Sequence, residues 1–316
     1  MELKVQILGS SSAIPLSGRN PTSQFVTIAS RHFLVDCGEG TQIQLRRNRI
    51  GFSRIEHILI SHLHGDHFYG LVPLLSTLHL LDRQKEVHIY GPPELEKGIY
   101  DLLALSHAKL RYPLVFHPLN MKEPDLVYED KGIKVHSFPL KHSLPCCGFF
   151  FQEKPKPRKF IKEALAKYSI PNAEIRQIKQ GADWEDENGN IVPNHELTTD
   201  APASLSYAFC TDTKPIKQLR KLLPNAPDLL YHEATFTEDL KDRAKQTKHS
   251  TAKQAAEVAQ LVGAKHLIIG HFSVRYDEFD ELLQEAKAVF PKTHIAVEKT
   301  TFKLQSSEKL LIELGS

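Results

Sequence analysis

Apolar residues recur along this chain in two rhythms. Short runs rich in β-branched and aromatic residues (VQIL, HFLVD, HILIS, EVHIY, GIKVHSF, LSYAFC, DLLYH, KHLIIG and THIAVE) predict buried strands. Between several of them, TQIQLRRN, LVPLLSTLHLL, ELEKGIYDLLAL, STAKQAAEVAQLVGA and YDEFDELLQEAKAV carry the spacing of helices with one apolar face. The mixture predicts an α/β chain. No run approaches the roughly 20 apolar residues that span a bilayer, which excludes a membrane-embedded protein. The N-terminal MELKVQILGSSS passes directly into a strand, without the basic stretch and long apolar segment of an export signal.

One segment breaks the rhythm. From Glu153 to about Leu197 the apolar runs thin out and prolines stand at 155, 157, 171 and 193. Residues 154–179 hold eight basic side chains (Lys154, Lys156, Arg158, Lys159, Lys162, Lys167, Arg176, Lys179) against two acids (Glu163, Glu174). Asp183, Glu185, Asp186 and Glu187 follow. Charge runs of this kind belong to a solvated surface insertion or to a protruding arm that grips phosphates. The expected organisation is 1–152 and 198–316 as two halves of one body, with 153–197 inserted as a flexible arm.

Composition adds bounds. With 316 residues, 41% hydrophobic and 25% charged, the chain is long enough for a sizeable core and is neither disordered nor fibrous. Its net charge of +2 gives no global sign of a polyanionic partner. Cys37, Cys146, Cys147 and Cys210 contain no CxxC pair and two are adjacent, a poor disulfide framework, so a reducing cytoplasm is the expected compartment. Seventeen histidines stand out, because imidazole serves metal sites and proton transfer near neutral pH.

Four of the chemistry-bearing residues fall together directly after the strand EHILI: His62, His64, Asp66 and His67. Two histidines one residue apart can bind one ion, and Asp66 with His67 on the following turn a second, with Gly65 easing the bend. A site for two ions needs further ligands from other strand ends. His142, Asp212, His232 and His271 each stand at the carboxyl end of an apolar run. Imidazole and carboxylate without thiolate suit zinc, with manganese or iron compatible by ligand type.

The run from His62 to His67 reads HxHxDH. Together with LGSSSAIPLSGRNPTS, FLVDCGEGTQIQL, SHLHGDHFYGL, FPLKHS, FCTDT, YHEATF, KHSTAKQAAEVA and IIGHFSVRY, in that order, it resembles the metallo-β-lactamase superfamily over nearly the whole chain. Within that superfamily the chain resembles the ribonuclease Z family of tRNA 3′-processing endonucleases. The resemblance implies a four-layer αββα sandwich with a metal site at one edge and a protruding arm. It places His62, His64 and His142 on one Zn²⁺, Asp66, His67 and His271 on the other, and Asp212 between them, with Mn²⁺ or Fe²⁺ as substitutes. It assigns no metal to His232.

The resemblance also implies a reaction: removal of the 3′ trailer from precursor tRNA, leaving a 3′-hydroxyl on the tRNA and a 5′-phosphate on the trailer. Water activated at the metals attacks phosphorus in line, Asp66 acts as general base, and His249 supported by Glu233 protonates the leaving ribose oxygen. The family works as a homodimer whose arms hold the tRNA elbow across subunits. RNA contacts are then expected from Arg19, Asn20, Lys154, Lys156, Arg158, Lys159 and Lys162. Two departures stand out. Ser17 occupies a position that is basic in the family's Pro-x-basic-x-Arg-Asn motif, and Ile170-Pro171 is followed by Asn172-Ala173 where many bacterial members carry Gly-Pro. Rival readings are a phosphodiesterase or arylsulfatase-like hydrolase of small molecules on the same fold, and a catalytically silent RNA-binding scaffold.

Overall fold

A computed structural model describes residues 2–16, 18–306 and 309–315. Ser17, one of the two departures, lies outside the described residues. The chain divides into two compact units, one of Met1–Glu153 with Leu205–Ser316, the other of Lys154–Ser204.

The larger unit holds two sheets. The first takes β1 (Glu2–Gly9), β2 (Ser23–Ile28), β3 (Arg31–Val35), β4 (His57–Leu59), β5 (Val87–Gly91) and β6 (Leu114–Pro118), joined beside β1 by β18 (Thr300–Gln305) and β19 (Leu310–Leu314). The second runs in the order β17 (Thr293–Ile295), β16 (His266–Gly270), β15 (Leu229–Glu233), β14 (Ser206–Cys210), β9 (Cys147–Glu153), β8 (Ile133–Pro139) and β7 (Asp125–Glu129). All nine predicted strand runs lie in these strands. Strands the pattern did not single out include β7 and β19, edge strands whose half-exposed residues blur the apolar signal, and β6, which ends in Pro118.

Alternation decides how the layers stack. Leu3, Val5 and Ile7 of β1 are fully buried and face Phe149, Phe151, Tyr207 and Phe209 of the other sheet in a common core. β15 is buried along its whole length, as a central parallel strand covered on both faces must be: Leu229 and Tyr231 join the inter-sheet core and Leu230 the opposite one. On that outer face lie helices Ala252–Val262 and Asp280–Val289. Ala255, Ala256 and Ala259 lie buried in this layer, where small side chains permit close approach to the sheet. Thr251 and Gln254 close the start of the first helix in a capping box, and Gly263 ends it at φ 72°. Helices Thr41–Arg47, Leu71–Leu80 and Glu94–Leu105 cover the first sheet through a third core. The result is the four-layer αββα sandwich.

Strand direction positions the chemistry. β3 to β6 are parallel in one sheet and β14 to β17 in the other, so loops after β4, β14, β15 and β16 leave from carboxyl ends. Those ends converge at one edge of the sandwich, the usual place for sites in parallel sheets.

The smaller unit has its own core of Ala164, Ile178, Trp184, Val192 and Leu197. Two small ladders frame it, β10 (Lys159–Phe160) with β13 (Thr198–Thr199) and β11 (Trp184–Glu185) with β12 (Ile191–Val192). Asn194 knits it together: its side-chain amide donates to Ile178 O at 2.7 Å and Ala182 O at 2.6 Å, and its Oδ1 accepts from Thr198 Oγ1 at 2.7 Å. The insertion thus carries more internal order than its charge pattern suggests.

Candidate metal centre

The ligand candidates are delivered by four strand ends, four of them by β4 alone. The chain leaves β4 through Ile60 and Ser61, presents His62 and His64, and enters the short helix Gly65–Phe68 that carries Asp66 and His67. Gly65 has no positive φ and so does not make the bend; a Cβ there would lie 2.3 Å from the ring of the exposed Tyr69, which would have to swing aside. His142 follows β8, Asp212 follows β14, and His271 follows β16 in a left-handed conformation at φ 60° that turns the chain sharply. For a non-glycine residue that conformation costs about 1–2 kcal/mol, a strain typical of functional sites.

Their donor atoms fall into two groups. His62 Nε2 and His142 Nε2 each stand 3.1 Å from His64 Nδ1, and lie 3.7 and 3.6 Å from Asp212 Oδ2. In the other group, His67 Nε2 and His271 Nε2 are both 3.4 Å from Asp66 Oδ2 and lie 3.3 and 3.0 Å from Asp212 Oδ1. Asp212 therefore offers one oxygen to each. Ligands at about 2.0–2.1 Å in a tetrahedron are separated by about 3.4 Å, close to these spacings. His232 is elsewhere, fully buried with Nδ1 2.7 Å from the Glu233 carbonyl.

The outer partners orient the rings. His67 Nδ1 lies 2.7 Å from Asp36 Oδ2, His142 Nδ1 3.2 Å from Lys248 O, His271 Nδ1 3.0 Å from Thr235 Oγ1 and His62 Nδ1 3.0 Å from Ser61 Oγ. In each case the far nitrogen is occupied and Nε2 faces inward. Asp36, Ser61 and Thr235 were missed in the sequence. Asp36 alone left a signal there, a carboxylate closing the apolar run HFLVD, although nothing local says which imidazole it serves.

The site suits a cation. Nε2 of His67 and of His271 are buried with no hydrogen-bond partner among the described residues, a costly state for ring nitrogens that a bound ion relieves. Burial opposes charge on Asp66 and Asp212, but the charge of His67 and the close approach of His271 and His67 hold Asp66 well below the ordinary carboxylate range, and His271 and His67 do the same for Asp212. Burial, then the charge of His67, depresses His62, and burial also lowers His64 and His142, keeping that trio neutral as ligands must be. At His67 burial is overcome by Asp212, Asp66 and Asp36, which draw positive charge to that point. Three neutral imidazoles, ionised carboxylates and a point that attracts positive charge, converging without thiolate, fit a divalent metal.

Beside this cluster stands a second pair. His249 Nδ1 is 2.9 Å from Glu233 Oε1, and the His249 ring stacks 5.4 Å from that of His271. Glu233 is fully buried and also accepts from Thr213 N, Ser250 N, Thr235 N and Thr235 Oγ1 at 2.8–3.1 Å. Burial lowers the pKa of His249, but the Glu233 carboxylate wins and raises it to about 9. His249 also comes within ligand range of Asp212 and His271. Asp66, His64, His142, His249 and His271 all line one open pocket of about 630 Å³.

The remaining candidates are spread more widely. Arg19 donates to Tyr276 O at 2.7 Å and lies over the Phe279 ring, and Asn20 N donates to Glu298 Oε1 at 2.9 Å, so both hold the loop beside the pocket. In the smaller unit, Lys159 and Lys162 are exposed and Lys154 and Lys156 half-buried. Arg158 donates to Thr198 Oγ1 at 2.7 Å and pairs with the exposed Asp200, so part of its guanidinium is engaged inside the unit.

Fold and site together define a metal-dependent hydrolase of the metallo-β-lactamase fold. A family model described as anti-Pycsar protein Apyc1 matches residues 3–156. Among curated relatives, the ribonuclease Z proteins of Bacteroides thetaiotaomicron and Cytophaga hutchinsonii are each 44% identical, covering 94% and 96% of this chain and the same shares of their own. The chain belongs to the ribonuclease Z family. Among solved structures, the short form of human tRNase Z is 27% identical with a TM-score of 0.68, covering 94% of this chain and 98% of its own. YhfI of Bacillus subtilis, a metallo-β-lactamase fold protein, shares the fold at 16% identity and a TM-score of 0.67 over 96% of this chain and 99% of its own. Full-length relatives of one kind leave the small-molecule hydrolase reading unfavoured.

Proposed function

We propose that this protein is an endoribonuclease that removes the 3′ trailer from precursor tRNA, leaving a 3′-hydroxyl on the tRNA and a 5′-phosphate on the trailer. The observation that carries the reading is that two ligand groups sharing Asp212, and the His249 held by Glu233, meet at one pocket through His64, Asp66, His142, Asp212, His249 and His271. His62, His64 and His142 would hold one Zn²⁺ and Asp66, His67 and His271 the other, with Asp212 facing both; Mn²⁺ or Fe²⁺ are substitutes by ligand type. Bound there, the ions would supply a water nucleophile near neutral pH and offset the charge on the phosphate.

The chain's own groups do the rest. Asp66, kept ionised and fixed by the Ala13 N–H at 2.8 Å, takes the proton from the attacking water. His249, held by Glu233 through Nδ1, delivers the proton on Nε2 to the leaving ribose oxygen. The insertion serves as the arm that holds the body of the tRNA, its basic side chains neutralising phosphates. By family resemblance the working form is a cytoplasmic homodimer.

The test is a precursor tRNA bearing a 3′ trailer, incubated with protein of known metal content. A single cut after the discriminator nucleotide, with about two zinc ions per chain, is expected. Stoichiometric metal without cleavage would sink the assignment.

A further inference from the structure

Two sets of residues line the pocket, one around Asp66 and one around His249. Ala13, Pro21 and Tyr69 gather round Asp66: Ala13 N donates to its carboxylate, Pro21 packs on Gly38 beside the Asp66 carbonyl, and Tyr69 packs on Gly65. A different set gathers round His249. The Phe236 and His249 rings lie 6.2 Å apart, the Arg275 guanidinium sits 5.2 Å over Phe236, and Arg243 stands on helix Lys241–Thr247, whose Ala244 carbonyl accepts from His249 N at 2.8 Å.

Both arginines are equipped for an anion. Arg275 Nε donates to Ser273 Oγ at 3.1 Å and Phe236, 5% exposed, supports the guanidinium from below, so the fork is pre-positioned, and its terminal nitrogens make no hydrogen bond among the described residues. Arg243 is exposed, and among the described residues its guanidinium has no hydrogen bond or ion pair. Neither arginine is paired with a carboxylate among the described residues. Two unpaired guanidinium groups at one side of a pocket built for phosphodiester chemistry are an anion subsite.

In-line displacement fixes which strand meets it. The base and the acid act on opposite sides of phosphorus, and the group protonated by His249 is the 3′-oxygen of the retained strand. This step rests on the reaction proposed above. We infer that Arg243 and Arg275 form a phosphate subsite for the 3′-terminal nucleotides of the retained RNA, upstream of the cut, and leave the trailer to the Asp66 side. Because both grip backbone, the subsite accepts any terminal base.

The experiment compares wild type with Arg243→Ala, Arg275→Lys and the double alanine variant, using two inhibitors of precursor cleavage: mature tRNA cut back to the discriminator nucleotide, lacking CCA and ending in a 3′-hydroxyl, and a 5′-phosphorylated trailer oligonucleotide. In the double variant, inhibition by mature tRNA weakens at least tenfold and the slope of log affinity against log salt falls by about 0.7–0.9 per arginine removed. The trailer's inhibition changes less than twofold. Arg243→Ala lies on an exposed helix and Arg275→Lys keeps the aromatic contact, so each reports separately if the double variant fails to fold. Equal weakening of both inhibitors, weakening of the trailer alone, or unchanged inhibition by mature tRNA overturns the subsite while leaving the nuclease reading intact. A wild type that binds metal yet cuts no precursor overturns that reading and the subsite with it.

Discussion

Replacing Asp36 by Asn removes one charge and no volume, and the structure says why the change is expensive. Asp36 is fully buried and accepts three hydrogen bonds: Ser61 N at 2.8 Å on Oδ1, and Ser61 Oγ at 2.9 Å and His67 Nδ1 at 2.7 Å on Oδ2. An asparagine has one acceptor oxygen for two sites. With the oxygen toward His67, the amide NH₂ faces the Ser61 N–H; with the oxygen toward Ser61 N, it faces the His67 Nδ1–H. In the second orientation relief comes only if His67 moves its proton to Nε2, which forfeits it as a ligand. Loss of such a ring-orienting partner costs about 10–100-fold in metal affinity, or about 1.4–2.7 kcal/mol. Chelator competition with element analysis measures it on wild type and Asp36→Asn side by side. Undiminished affinity in a folded variant would show that His67 is oriented by something other than Asp36.

Three further outcomes are expected. His249→Ala slows precursor cleavage by roughly 10²-fold or more while metal content is retained; loss of metal, or unchanged turnover, speaks against a proton-donor role. Replacing Lys154–Ser204 by a short Gly-Ser linker is feasible because Glu153 N donates to Leu205 O at 2.9 Å, closing the neck. That variant should lose far more activity on precursor tRNA than on a small phosphodiester, and an equal loss on both would remove the arm's claim to tRNA. Finally, burial, then the neighbouring His88, lowers His57 to about 4, and burial, then His266, lowers His294 to about 4. In the unfolded chain both titrate near 6.5, so between about 6.5 and 4 the unfolded state binds more protons and folding stability declines as pH falls, by up to about 1.4 kcal/mol per pH unit per site. Urea midpoints of metal-free wild type and His57→Gln across that range should diverge by up to one proton's slope, and parallel curves would refute the effect.

These predictions draw unequally on sequence and fold. His62, His64, Asp66 and His67 were legible because they are local: six residues leave a strand and turn, and spacing alone puts their side chains together. Strand ends nominated His142, Asp212 and His271 but equally His232, because position along a strand does not say which face a side chain takes. His232 sits opposite Ile269 in the sheet register, inside the fold rather than at its edge. The excess of histidines misled in the same way. His57, His88 and His117 stack across three parallel strands, and His266 packs on His294; among the described residues none of them belongs to the ligand groups.

Charge was partly legible. The basic block from Lys154 to Lys179 was visible beneath a whole-chain sum of +2, yet counting charges could not show that Arg158 is partly engaged by Thr198 and Asp200, forty and more residues away.

The sequence by itself determined the alternating α/β plan, the local HxHxDH cluster and the inserted basic segment, since each is written within a single run of residues. Tertiary structure alone decided that Asp212 turns one oxygen to each ligand group, that Asp36 and Thr235 fix the rings of His67 and His271, and that Glu233 serves His249. Those arrangements depend on parallel strands from both sheets ending at one edge, and distances of 2.7–3.4 Å between residues far apart in the chain are set by sheet packing, which no local pattern encodes.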